Sequence, residues 1–207
     1  IVDGTATPSP TMFIDRLVTR DRLIIGAVLQ FSTSMALSPV TDAANYEAIA
    51  SGRDGRFGTR DDIALTIKNL SYSDSTRTVN LEFTRDLGTS NKIRVIAKAT
   101  AVVGLRDSAG NVLDGDRDGV SGGDFVGSAQ IGTTLRYSDR DQDRVAFRQS
   151  RSGYLEVSRD ANGEARQLRV LGAIKNRGVL TGDVVRGRRT SDGKAVVHNI
   201  TGASDSK

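Results

Sequence analysis

Apolar and polar residues alternate with period two along most of the chain. This spacing puts every second side chain on one face of a β-strand. Residues 27–31, 46–50, 63–67 and 78–83 each read as a strand, and residues 93–103 as a long one. In the second half, residues 134–137, 144–147, 154–157, 167–171, 179–180, 184–185 and 195–200 follow the same rule. The segments are short and are separated by clusters of Gly, Asp, Asn and Ser. That punctuation predicts an all-β fold of sandwiched sheets. Helical spacing is confined to at most one turn, around residues 42–46. Alternation assigns Phe31, Tyr46, Ile63, Leu65, Ile67, Leu81, Phe83, Val95 and Ala97 to one N-terminal core.

Composition narrows the chemistry. Aromatic residues are 5% of the 207 and Trp is absent, so the core is built from Val, Ile, Leu and Ala. Cys is absent, which excludes disulfides, thiolate metal sites and cysteine nucleophiles. A single His excludes multi-histidine metal sites and leaves one imidazole for any general base. The longest apolar run, residues 23–29, has seven residues, against about 20 for a membrane-spanning helix. The N-terminus, with no initiator Met and no signal-peptide pattern, reads as the start of a segment excised from a longer protein.

Charge divides the chain. Residues 1–127 carry 14 basic and 16 acidic side chains, a net of −2, and residues 128–207 carry 15 and 9, a net of +6. Such an imbalance accommodates an anionic partner for the second half or a solvated β surface; without clustered aromatics, nucleic acid is disfavoured. The reversal follows a Gly- and Asp-rich stretch. It sets an N-terminal domain at 11–127 and a smaller β domain at 128–202, with a linker at 1–10 and a tail at 203–207.

Four ordered motifs lie in the first half: Phe31 to Met35, Asn45 with Tyr46, the Gly-rich Gly52 to Asp62, and Gly104 to Asp114. Over residues 12–127 this set resembles the bacterial Ig-like domain of the S-layer type. Residues 113–125 resemble its version in long exported proteins of planctomycete-like bacteria. Residues 132–145, and 178–182 through 200–202, resemble the small β module that often follows it. That module usually carries Gly within its Asp-rich turn, where this chain has Gln142. The resemblance implies an Ig-like β-sandwich followed by a smaller β-rich domain, extracellular and non-catalytic.

The strongest chemical signal is Asp114, Asp116 and Asp118 at alternate positions, followed by Gly119. Calcium needs several hard oxygen ligands converging on a tight turn, and this is the first half of such a loop. Asp124 is a fourth candidate ligand, with Asp107 or Asn111 able to lend an oxygen. Phe125 stands where an EF-hand carries its bidentate Glu, and the flanks are strands, so the loop is not an EF-hand. The alternative is a solvated acidic turn whose carboxylates cap their own backbone. Asp139, Asp141 and Asp143 form a weaker metal candidate, better read as a hairpin loop. Asp54, Asp61 and Asp62 form a third acidic cluster, read as a structural turn.

Gly119 to Gly123 matches the G-x-S-x-G pattern around Ser121, but a nucleophile elbow needs a strand before it and a helix after it. His198 falls within a predicted strand, sharing a face with Val196 and Ile200, as a partly buried imidazole. No catalytic residue is assigned. The function these features support is a non-enzymatic structural or adhesion module of a large bacterial surface or secreted protein, possible calcium included. Its partners would be neighbouring domains and a surface polymer or protein. The alternative is a carbohydrate-type accessory module of a larger exported enzyme.

Overall fold

The computed structural model describes residues 8–100, 102–149, 154–171, 180–185 and 194–202. The fold is all-β. Its strands are β1 (Met12–Arg20), β2 (Leu23–Phe31), β3 (Tyr46–Ala50), β4 (Ile63–Leu65), β5 (Ile67–Ser73), β6 (Thr78–Gly88) and β7 (Ile93–Ala97) in the first half. They continue with β8 (Phe125–Gly132), β9 (Thr134–Ser138), β10 (Arg144–Gln149), β11 (Tyr154–Arg159), β12 (Ala165–Leu171), β13 (Leu180–Val185) and β14 (Ile200–Gly202). Helix among the described residues is one α-turn, α1 (Leu37–Val40), and a 3-10 turn at Ala43–Asn45 capped by Asp42.

The described residues form three sheets. A seven-stranded sheet runs β14-β12-β11-β8-β7-β3-β4 through the whole molecule. A four-stranded sheet, β1-β2-β6-β5, packs on one of its faces and a three-stranded sheet, β13-β10-β9, on the other. Strand alternation explains the two faces. On β11, Leu155 and Val157 enter the second core with Leu135, Val145 and Phe147. Tyr154, on the opposite side, packs against the first core with Phe125, Ala129 and Ile131 of β8. A strand covered on both faces buries consecutive residues, and Leu155 to Ser158 are all buried.

The boundary expected at 127/128 therefore falls inside β8. That strand pairs with β7 on one side and β11 on the other, so two cores share one sheet. The expected linker ends on a docked residue: the Asp114 amide donates to the Pro10 carbonyl at 2.8 Å. Residues 1–7 and the tail at 203–207 lie outside the described residues.

Of the nine expected core residues, Phe31, Tyr46, Leu65, Leu81, Phe83, Val95 and Ala97 are buried, and Ile63 and Ile67 pack half-buried against them. Several strands differ from expectation. Residues 63–67 form no single strand: β4 ends at Leu65 and β5, starting at Ile67, belongs to another sheet. The long strand expected at 93–103 stops at Ala97, and Val102 and Val103 are exposed. The strand expected at 195–200 is a bridge at Val197, a bend at His198 and the start of β14 at Ile200. Positions 184–185 belong to β13 with Leu180, while Val179 lies outside the described residues.

Candidate metal centre

The loop between β7 and β8 gathers the main acidic cluster. Gly115 donates to the carbonyls of Gly122 and Gly123 at 3.2 and 3.1 Å, and Gly122 donates to Leu113 at 3.0 Å. These bonds fold residues 113–123 into a closed lobe. One carboxylate oxygen from each of Asp114, Asp116 and Asp118 lies within 4.8 Å of the others. Two oxygens bound to one calcium at about 2.4 Å can be no further apart than about 4.8 Å, so the spacing fits a shared hard cation.

The three carboxylates differ in environment. Asp114 is buried; its Oδ2 accepts from the Gly119 amide at 3.2 Å, while its Oδ1 is buried without a hydrogen-bond partner. A buried carboxylate oxygen without a donor is costly. Asp116 and Asp118 are exposed, and Asp118 caps the Val120 amide at 2.7 Å. Asp116 lies over Gly123, whose φ is +73°; a Cβ there would stand 2.6 Å from the Asp116 carboxyl carbon. Only Gly satisfies both the backbone and the close approach. Arg117, the one basic residue of the 113–123 lobe, donates to the Met12 carbonyl at 2.9 Å, and burial pushes its pKa down.

Asp124 stands outside this group. Its Oδ1 accepts from the Ala99 amide, the Thr100 amide and the Thr100 hydroxyl at 2.9, 3.1 and 2.9 Å. Burial pushes its carboxyl up, but these donors together hold it below the usual carboxylate range. This clamp holds the turn that follows β7. Asp107 is closed on its own turn, accepting from the amides of Ala109 and Asn111 and from the Asn111 side chain.

The second cluster, Asp139, Asp141 and Asp143, also brings one oxygen from each residue within 4.8 Å. It forms the hairpin turn between β9 and β10, where Ser138 pairs with Arg144. Asp139 accepts from the Asp143 amide at 2.8 Å. Burial, a hydrogen bond with Asp141 and the charges of Asp141 and Asp143 push the Asp139 carboxyl up to about 6. Gln142 adopts φ +75°, the left-handed conformation that Gly supplies elsewhere. The turn thus keeps its shape without glycine.

The third cluster is a turn. Asp61 accepts from the Thr59 hydroxyl at 2.7 Å and from the amides of Asp54 and Arg53 at 3.1 and 2.6 Å, and the Thr59 bond leads in holding its carboxyl low. Asp62 caps Gly58 at 2.6 Å and Asp54 caps Arg56 at 2.8 Å.

Ser121 donates to the Val112 carbonyl at 3.3 Å, and acidic loop rather than strand precedes it. His198 is exposed rather than partly buried, because the face it shares with Val196 and Ile200 is the outward one, while Ala195 and Val197 pack against the second core. Its Nε2 lies 3.1 Å from Glu164 and 2.9 Å from Arg166, which also binds Asp160 at 2.5 Å. Sequence reading missed this ionic cluster; its one local signal is the Asp160-to-Gly163 turn that brings Glu164 and Arg166 together.

It also missed Glu156. This side chain on β11 is buried beneath β1, accepting from the Leu17 amide and, at 3.1 Å, from Arg169. Burial outweighs both donors and pushes its carboxyl up to about 7. The signal available was a lone Glu between Leu155 and Val157, ambiguous because an exposed face gives the same pattern.

No family model matches the sequence, and a search of curated proteins finds no match. Among solved structures, the N-terminal part of the bacterial S-layer protein SbsC matches at 10% identity, over 79% of this chain and 43% of that one, with a TM-score of 0.41. Domains 1–6 of surface layer protein SbsC match at 11% identity, over 74% and 24% of the two chains, with a TM-score of 0.42. The chain thus spans less than half the length of these structures.

Proposed function

We propose that this chain is a non-enzymatic structural and adhesion module of a long exported bacterial surface protein, stabilised by calcium at Asp114, Asp116 and Asp118. The observation that carries the structural reading is the shared sheet. One strand, β11, borders both cores, with Leu155 and Val157 in the second and Tyr154 against the first, and β8 pairs it to β7; this makes a continuous body suited to spacing and transmitting load. An Ig-like assignment for residues 11–127 is supported by strand order. The order β1-β2-β6-β5 facing β4-β3-β7-β8 is that of strands A-B-E-D facing C′-C-F-G in an immunoglobulin-type sandwich. The non-enzymatic reading is supported by the one imidazole, which lies in an ionic cluster with Glu164 and Arg166, and by the loop context of Ser121.

Calcium is favoured by the ligand chemistry. The cluster offers only hard carboxylate oxygens, suited to calcium, magnesium or manganese rather than to softer metals. Asp114 Oδ1, buried and without a donor, is the atom a cation would satisfy. Melting of metal-stripped protein with millimolar calcium and with chelator tests this. Calcium raises the melting temperature, in line with linkage of about 2.7 kcal/mol at a hundredfold excess over Kd. Asp116→Ala or Asp118→Ala removes most of that shift. Superimposable curves for the unsubstituted protein would leave the loop a solvated turn.

A further inference from the structure

The three-stranded sheet has two unlike faces. The inner one carries Leu135, Tyr137, Val145 and Phe147, all buried in the second core. The outer one carries Arg136 on β9 and Arg144 and Arg148 on β10, all exposed. Register fixes their arrangement: Arg136 stands opposite Ala146, midway between Arg144 and Arg148. At about 3.4 Å per residue, Arg144 and Arg148 are roughly 14 Å apart along the strand, with Arg136 between them one strand over, about 4.8 Å away. The guanidinium groups thus succeed one another in steps of about 7 Å along the strand direction. None of the three makes an ion pair or side-chain hydrogen bond with a described residue, unlike Arg159, Arg166 and Arg169 nearby. They line a shallow concavity of about 880 Å³ whose apolar floor includes Ala146 and the exposed Val185. On β13, Asp183 is the one acidic position, against three arginines.

We propose that the outer face of the β9-β10-β13 sheet binds a linear carboxylated polysaccharide through Arg136, Arg144 and Arg148. The planar guanidinium fork matches a carboxylate with two parallel hydrogen bonds. A row of three such forks suits an extended chain with charge along its length better than one small anion. The net +6 of residues 128–207 draws such a polymer towards this half of the molecule. Single-stranded nucleic acid is the less suited polyanion. Its binding relies on aromatic platforms, and both aromatics of this sheet, Tyr137 and Phe147, are turned into the core. Uncharged sugars are disfavoured for the same reason. The proposal does not depend on the metal loop.

The test uses the whole chain, with polygalacturonate as the probe. Its fully methyl-esterified form removes the charge, and single-stranded DNA of similar length supplies phosphate instead. Polygalacturonate binds and the ester does not. Arg136→Gln, Arg144→Gln and Arg148→Gln together weaken binding at least tenfold and flatten its dependence on salt. A control triple at exposed arginines elsewhere, Arg53→Gln, Arg60→Gln and Arg85→Gln, changes net charge equally and stays within twofold. Absence of binding, equal loss in both triples, or tighter binding of DNA at the same salt would overturn the proposal. Melting curves establish folding of each variant. If the site triple does not fold, Arg144→Gln and Arg148→Gln are measured singly; each weakens binding at least twofold, and unchanged affinity in both overturns the assignment.

Discussion

Glu156 shows how a single buried carboxyl records the joining of the two cores. It leaves β11 on the face covered by β1 and accepts the amide of Leu17, next to a register shift in that strand. Its carboxyl titrates near 7 in the fold against 4.5 when unconstrained, and burial is the leading cause. Between those values the folded chain holds a proton that the unfolded chain has released. The stabilisation is therefore complete below about pH 4.5 and is lost as pH rises through about 7. Glu156→Gln keeps a carbonyl for the Leu17 amide and cannot ionise. From pH 4.5 to 8, the parent should lose on the order of 3 kcal/mol relative to this variant, read from urea unfolding at each pH. Parallel pH profiles would show that the carboxyl does not ionise at a cost.

Asp124 and Asp116 separate a structural carboxylate from a candidate ligand eight positions away. Asp124 clamps the Ala99 and Thr100 amides; Asp116 faces Asp114 and Asp118. Asp124→Ala is expected to cost about 1–2 kcal/mol through the two orphaned amides. The cost should be the same in calcium and in chelator. Asp116→Ala should instead remove most of the difference between the two conditions. Melting curves of both variants in both buffers check this, and a calcium response lost in Asp124→Ala would return that residue to the ligand set.

At the level of elements, the sequence was most legible where alternation runs uninterrupted. Residues 46–50 coincide with β3, and residues 134–137 and 144–147 lie within β9 and β10. β1 was not legible because a bulge shifts its phase: Met12, Ile14 and Leu17 are buried, a spacing that no strict alternation produces. β8 was not legible because Gly127, Ser128 and Gly132 look like a linker, although the strand sits at the middle of the widest sheet. The period-2 run at 63–67 concealed a transfer between sheets at Thr66. Which of three acidic clusters could serve a cation was equally hidden. All three share the same residue types; the fold leaves a buried oxygen unpartnered on both Asp114 and Asp62, and of these only Asp114 belongs to a trio whose carboxylates come within 4.8 Å of one another.

Gln142 is a local conflict of the same kind. Its left-handed backbone costs a non-glycine residue about 1 kcal/mol. Gln142→Gly relieves that strain and loses part of the gain to unfolded-chain entropy. The expected outcome is a net stabilisation of a few tenths of a kcal/mol, on the order of 0.5 at most, in chemical denaturation. A destabilised variant would mean that the Gln142 side chain makes a contact worth more than the strain.

In the molecule as a whole, the sheet bordered by both cores should make them one mechanical body. β11 borders both cores, β8 pairs it to the strands of the first, and Glu156 fastens it to β1 at the edge of the four-stranded sheet. Independent domains joined by a linker would unfold separately, whereas a body with a shared sheet unfolds together. Differential scanning calorimetry of the chain with Leu168→Ala is the direct measurement. Leu168 is fully buried in the second core, and its truncation should cost about 2–5 kcal/mol. One endotherm is expected for both proteins, with equal calorimetric and van't Hoff enthalpies, displaced as a whole to lower temperature in Leu168→Ala. Two endotherms, with only one displaced by the substitution, would contradict a single body.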